Sequence, residues 1–225
     1  MTALRFDVLH TPTREFALAA TRIGSEAWRD RFPGYTEEQR RNVFDPDHPE
    51  RVLARMEQAA TIGAFVGVLA VQETTNEAIG VVWGAEDISA GTVAEREAKR
   101  AAGKVYAWSA QMNVLPAEQR NGVGAAALDT FLSEFDEDMR PTSYVFRSNR
   151  PTMKWHRRIG YKPTPHPVFP MLPAKPTPKW YFGEDARPVR QVRLVGPSTR
   201  VIRANIAERY PQLPGLEERT IVHSR

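Results

Sequence analysis

The stretch Asn113-Val-Leu-Pro-Ala-Glu-Gln-Arg-Asn-Gly-Val-Gly-Ala125 decides how this chain is read. Ahead of it, Val105 to Val114 has the composition of a strand, closed by Pro116. Behind it, Val123, Ala127, Phe131 and Phe135, with Leu128 and Leu132 beside them, recur at helical spacing. The quoted residues therefore form a strand-to-helix turn. Gly122 and Gly124 let the backbone approach a bulky anion, and the first amides of a helix lack partners within it and carry the positive end of its dipole. Two readings fit: a cradle for phosphate, or a turn that only joins strand to helix.

Working upstream, Leu4-Arg-Phe-Asp-Val8 alternates as a half-buried strand does, and Phe16, Ala20, Ile23 and Ala27 place an amphipathic helix over Thr13 to Trp28, stopped by Pro33-Gly34. Thr36-Glu-Glu-Gln39 is a capping-box pattern. After the break at Asp45 to Pro49, Val52, Leu53, Met56 and Ala60 line a second helical face. Ala64 to Val71 and Ala78 to Trp83, joined by the polar loop Gln72 to Glu77, read as an antiparallel hairpin. Asp87 to Gly103, polar and rich in Ala, Glu and Arg, reads as an inserted surface helix ended by Gly103.

Working downstream, Ser143 to Phe146 is a fifth strand, and Pro151 to Ile159 is a short helix with Pro in its first turn and Gly160 just past its end. Strand, helix, strand and helix in succession imply one right-handed parallel crossover in an otherwise antiparallel sheet. Beyond Tyr161, prolines 163, 165, 167, 170, 173, 176 and 178 impose an extended strap, and its Trp180-Tyr-Phe182 cluster is expected to pack back over the sheet. Val189 to Val195 reads as one more strand beside the sixth, and Ser198 as the cap of a terminal helix with Ile202, Ile206 and Tyr210 on one face.

A chain of 225 residues with 41% hydrophobic and 26% charged residues can bury a real core. Its longest apolar run, Ile62 to Val71, is too short to cross a bilayer, and Met1 to Arg5 lacks a signal-peptide pattern, so no membrane association and a cytoplasmic location are expected. The absence of cysteine excludes disulfides, thiolate metal sites and thiol nucleophiles. Histidines 10, 48, 156, 166 and 223 show no HxxxH or HxH spacing, so no metal site is expected. Residues 141 to 225 carry 16 Lys+Arg and 5 Asp+Glu, a net of +11, against −7 for residues 1 to 140. That basic third attracts a phosphorylated cofactor, a nucleic acid or an acidic surface, or is simply a solvated face.

Val114-x-Pro116 followed by Gln119-x-x-Gly122-x-Gly124 resembles the pyrophosphate-binding motif of the GCN5-related N-acetyltransferase (GNAT) superfamily. Asn149-Arg-Pro-Thr-Met-Lys-Trp-His156-Arg-Arg-Ile-Gly160-Tyr161 resembles that family's second signature, and the preceding elements stand in the family's order. The resemblance covers roughly Leu4 to Val195. It implies an α/β (α+β) fold: a single domain with a mixed central sheet of six to seven strands, flanking helices, a Pro-rich C-terminal strap and a terminal helix. Residues 1–195 would be the acyltransferase domain and 196–225 a C-terminal helical extension.

The resemblance further implies acetyl-CoA as cofactor. Met112, Asn113 and Val114 would face its pantetheine arm in a splay between strands four and five, Gln119, Arg120, Asn121, Gly122, Val123, Gly124 and Ala125 would hold the pyrophosphate, and Asn149 would contact the pantetheine. His156 takes the place of the family's tyrosine, which protonates the leaving thiolate. It would act as a cation or through water, or it is a surface residue beside Arg157 and Arg158. Strand four has no carboxylate for a general base, leaving Glu73, Glu86 and Asp87 at the hairpin strand ends, or water. The implied reaction moves acetyl directly to a primary amine in a ternary complex, on a small molecule or peptide, in a monomer or homodimer.

Two other classes compete with this one. Gly122-x-Gly124-x-x-Ala127 also fits a dinucleotide-binding fingerprint, but the upstream hairpin, the single crossover and Arg147 in place of the expected acid oppose it. A module of the same fold that binds nucleic acid or a protein partner through its basic third is the remaining alternative.

Overall fold

In the computed structural model, residues 3–28, 49–87, 93–146, 149–164, 191–211 and 220–224 are described. The elements run β1 (Leu4–Leu9), α1 (Arg14–Trp28), α2 (Pro49–Ile62), β2 (Phe65–Gln72), β3 (Glu77–Asp87), α3 (Val93–Ala101), β4 (Tyr106–Val114), a 3-10 turn (Pro116–Glu118), α4 (Val123–Ser133), β5 (Arg140–Phe146), α5 (Arg150–Arg158), β6 (Lys162–Pro163), β7 (Gln191–Val195), α6 (Thr199–Arg209) and β8 (Thr220–Ser224). The Thr36 capping box, the Asp45 to His48 part of the break, most of the strap and Trp180-Tyr-Phe182 lie outside the described residues.

One mixed sheet of order β6-β7-β5-β4-β3-β2-β1-β8 carries helices on both faces. On one face α1 and α2 bury Phe16, Ile23, Val52, Met56 and Ala59 against Phe65, Val81, Trp83 and Trp108. On the other, α4 and α6 bury Phe131, Leu132, Ile202 and Ile206 against Phe6, Val68, Val82 and Ala107. With both faces covered, β2 is apolar almost throughout instead of alternating.

The fold class agrees with the sequence reading, and several details differ. Among the described residues the sheet has eight strands where six to seven are expected. β7 pairs with β6 as expected, and it also pairs antiparallel with β5, so it lies between the two. Two parallel pairings occur, β4 with β5 and β1 with β8, where one is expected. Ala59, in place of Ala60, completes the buried face of α2. β5 starts at Arg140, three residues early, because Pro141 needs no ladder N–H and its carbonyl accepts from the Gly196 amide. The Ser198 hydroxyl caps α6 through the Val201 amide as expected. Within the C-terminal stretch, α6 packs Ile202 and Ile206 into the main core and β8 pairs with β1 at the sheet edge.

Candidate active site

The site is organised by a bulge. Trp83 pairs with Gln111 and Gly84 with Ser109, so Ala110 is an extra residue in β4. An extra residue bends its strand and increases the local twist. Pairing of β4 with β5 stops at the same point: it runs from Tyr106/Arg140 to Ser109/Ser143 and goes no further, although β4 continues to Val114 and β5 to Phe146. The two strands therefore part, which is the splay anticipated between strands four and five.

Beyond the bulge, β4 remains paired with β3 through Val114, and the Leu115 amide bonds the Ile79 carbonyl. The alternation of an antiparallel ladder then turns the peptide groups of Gln111 and Asn113 toward β3, and those of Met112 and Val114 toward the splay. Asn113 is buried, and the Val114 carbonyl accepts a hydrogen bond of 3.0 Å from the Gln119 side-chain amide. Gln119 thus ties the turn to the strand end instead of projecting into open space. Gln111 fastens α1 above this region, accepting from the Trp83 indole at 2.8 Å and donating to the Ala20 carbonyl at 3.2 Å.

The turn ends at the start of α4. Gly122 is the N-cap residue at φ 83°, and no side chain caps the helix. Its carbonyl is taken by Ala126 N–H at 2.9 Å. Val123 and Ala125 bury their side chains in the core, which holds the first-turn backbone in place. Arg120 and Asn121 are exposed, and Arg120 adopts φ 71°, a conformation that a non-glycine residue seldom takes and that clusters at functional sites. Among the described residues nothing requires glycine at 124: a Cβ there would meet only Val114 Cγ2 at 3.4 Å, an ordinary contact. Glycine weakens a helix by about 1 kcal/mol relative to alanine, so the empty side-chain position fits a ligand that lies against the helix start.

Asn149 caps α5, its Oδ1 accepting from the Thr152 amide at 3.3 Å. His156 is not a surface residue. It is 3% exposed, lies edge-on to Trp155 and Tyr161, and donates Nδ1–H to the Thr152 carbonyl at 2.9 Å. That bond leaves Nε2 as the lone-pair nitrogen. Burial pushes the imidazole down to about 4, outweighing the opposing hydrogen bond, so the cationic form is absent near neutral pH. Its spacing of three residues from Met153 and from Ile159, both apolar, was the signal, available in the sequence, that this helix turns the residue inward.

Of the candidate bases, Glu86 is held by Arg100 at 2.6 Å, Glu73 sits in the hairpin loop, and the Asp87 side chain lies outside the described residues. The outer face of α5 carries Arg150, Lys154, Arg157 and Arg158, all exposed and without an ion pair among the described residues. Sequence reasoning missed the aromatic run on the α1 side of the splay. Trp83 and Trp108 meet edge to face at 6.5 Å, Trp108 and Tyr144 at 6.4 Å, and the buried Trp108 indole N–H has no partner among the described residues.

No family model and no curated protein matches the sequence. Solved structures do match in three dimensions. An acetyltransferase from Thermus thermophilus is similar with a TM-score of 0.53 at 14% identity, over 88% of this chain and 99% of that one. A Pyrococcus horikoshii protein is similar with a TM-score of 0.50 at 10% identity, over 87% and 98%. The PaiA N-acetyltransferase from Thermoplasma acidophilum, solved in complex with coenzyme A, gives 0.49 at 12% identity, over 85% and 98%. Fold, strand order and the splay beside a glycine turn agree with the resemblance carried by the two motifs: the chain has the fold of the GCN5-related N-acetyltransferase superfamily.

Proposed function

We propose that the protein is an N-acetyltransferase that moves an acetyl group from acetyl-CoA directly to a primary amine in a ternary complex. One observation carries the reading: the uncapped start of α4, with an unfilled side-chain position at Gly124, stands at the end of the strand edge opened by the splay. The residues present fit the cofactor. First-turn amides and the helix dipole suit its pyrophosphate, and the outward peptide group of Met112 and the N–H of Val114, whose carbonyl is held by Gln119, suit the amides of its pantetheine arm.

Bound acetyl-CoA supplies an activated thioester. The acceptor nitrogen forms a bond to the acyl carbon, the C–S bond breaks, and the balance requires one proton to leave nitrogen and one to reach sulfur. With no cysteine in the chain, no thioester forms on the protein. Strand β4 offers no carboxylate, and His156 is neutral and held by Thr152, so both protons travel through water unless His156 relays one at Nε2. In this reading the chain's contribution is alignment and exclusion of bulk solvent, which can supply most of the rate enhancement.

Incubating the protein with acetyl-CoA and a panel of amines, and following free CoA, tests the activity. Absence of a thermal shift at millimolar acetyl-CoA would overturn the cofactor assignment. The four exposed cations on α5, without an ion pair among the described residues, favour one second reading, a module that binds nucleic acid. Salt-sensitive retention of RNA or DNA, with no CoA release from any amine, would favour it.

A further inference from the structure

Two histidines with no informative spacing in the sequence meet on the far side of the sheet. In β1, Phe6 and Val8 are buried against the α4 face, so His10, next in the same alternation, follows them to that side. β8 runs parallel to β1 with His223 paired to Val8, and paired residues share a face, so His223 lies on the same side one step from His10. α4 ends there, with Glu134 at its C-cap.

The three side chains converge. His10 Nε2 is 3.3 Å from Glu134 Oε2, the imidazoles of His10 and His223 stack with centroids 5.9 Å apart, and one ligand atom from each of the three residues lies within 4.8 Å of the others. Two ligand atoms on one tetrahedral zinc ion stand about 3.4 Å apart, so a shift of up to about 1.4 Å by two exposed histidines closes the set. The electrostatics point the same way. A carboxylate at a helix C-terminus sits against the negative end of the dipole, and Asp136, Glu137 and Asp138 follow it within four residues, so this corner favours a cation. Two imidazoles and one carboxylate suit zinc and its neighbours and do not suit calcium or magnesium, which prefer oxygen alone.

We propose that His10, Glu134 and His223 bind a zinc-class divalent cation that fastens β8 to the rest of the fold. Thr220 to His223 are all exposed, so none of these four side chains is buried and β8 is held by its ladder to β1. Ligation through His223 gives this edge strand a second anchor, and the open coordination positions are left to water.

The test uses the full chain, free of any polyhistidine tag and stripped with chelator, titrated with zinc alone. One equivalent should bind, raise the melting temperature reversibly, and slow hydrogen exchange of the β8 amides. His10→Ala, Glu134→Gln and His223→Ala should each lower zinc affinity at least about tenfold, since loss of even an outer-shell partner has that effect. Each should keep the zinc-free melting temperature of the parent. Cobalt(II) in the unmodified protein should give the visible absorption of a nitrogen- and oxygen-ligated ion, which checks the site without any variant. Failure of zinc to bind, binding that survives all three substitutions, or unchanged exchange of β8 would overturn the proposal.

Discussion

The backbone carbonyl of Trp108 occupies the space that a side chain at position 84 would need, so β3 and β4 approach here as only glycine allows. This contact sits at the bulge around Ala110, and the bulge sits where β4 leaves β5. The opening that defines the candidate site therefore depends on a missing Cβ on the neighbouring strand.

Gly84→Ala should destabilise the protein by on the order of 3 kcal/mol, because the clash is with backbone and with Phe131 and no flexible side chain can move aside. Chemical denaturation of the variant measures this directly. A loss below about 0.5 kcal/mol would show that the strands separate freely at the bulge.

Gly124→Ala separates fold from ligand. The added methyl meets only Val114 Cγ2, so the variant should gain up to about 1 kcal/mol of stability from helix propensity. Acetyl-CoA should nevertheless bind at least about tenfold more weakly, a difference of about 1.4 kcal/mol, because the methyl fills the position left for phosphate. Thermal shift with and without acetyl-CoA reads both effects on one sample, and unchanged binding would remove Gly124 from the site.

His156 makes stability depend on pH. Its pKa is about 4 folded against 6.5 unfolded, so between those values the unfolded chain binds more protons, and stability rises with pH across this window and is lost as pH falls through it. The full effect is up to about 3 kcal/mol, present above about 6.5. His156→Gln should flatten this part of the stability profile by one proton. It should also leave the shape of the pH–rate profile between about 6 and 8 unchanged, because the imidazole does not titrate there. A kinetic limb in that range that vanishes in the variant would show that His156 exchanges protons during turnover.

Gln111→Met should cost about 1–3 kcal/mol by leaving the Trp83 indole N–H without its acceptor and releasing the tie to Ala20. Since that tie positions α1 beside the splay, KM for the acceptor amine should rise more than KM for acetyl-CoA. Equal changes in both would mean that α1 does not border the acceptor site.

What the sequence determined by itself is what neighbouring residues decide. The apolar recurrence through Phe16, Ala20 and Ile23, the hairpin around Gln72 to Glu77, the strand, glycine turn and helix at 113–125, and the Ser198 cap all rest on interactions within a few residues, and all stand in the structure. The order of these elements, together with the family resemblance of the two motifs, was enough to specify the fold class. Tertiary structure decided whatever depends on residues far apart in the chain. The burial that neutralises His156 arises from packing against Trp155 and Tyr161 inside a layer completed by α6, and residues beside it in sequence, Arg157 and Arg158, point to the opposite environment. The bulge at Ala110 follows from how β3 and β4 pair, and pairing across strands leaves no mark on the local period of either. His10 and His223 meet only because β8 adds to the sheet beside β1, a contact spanning more than two hundred residues, and a strand's register is set by its partner and not by its own composition.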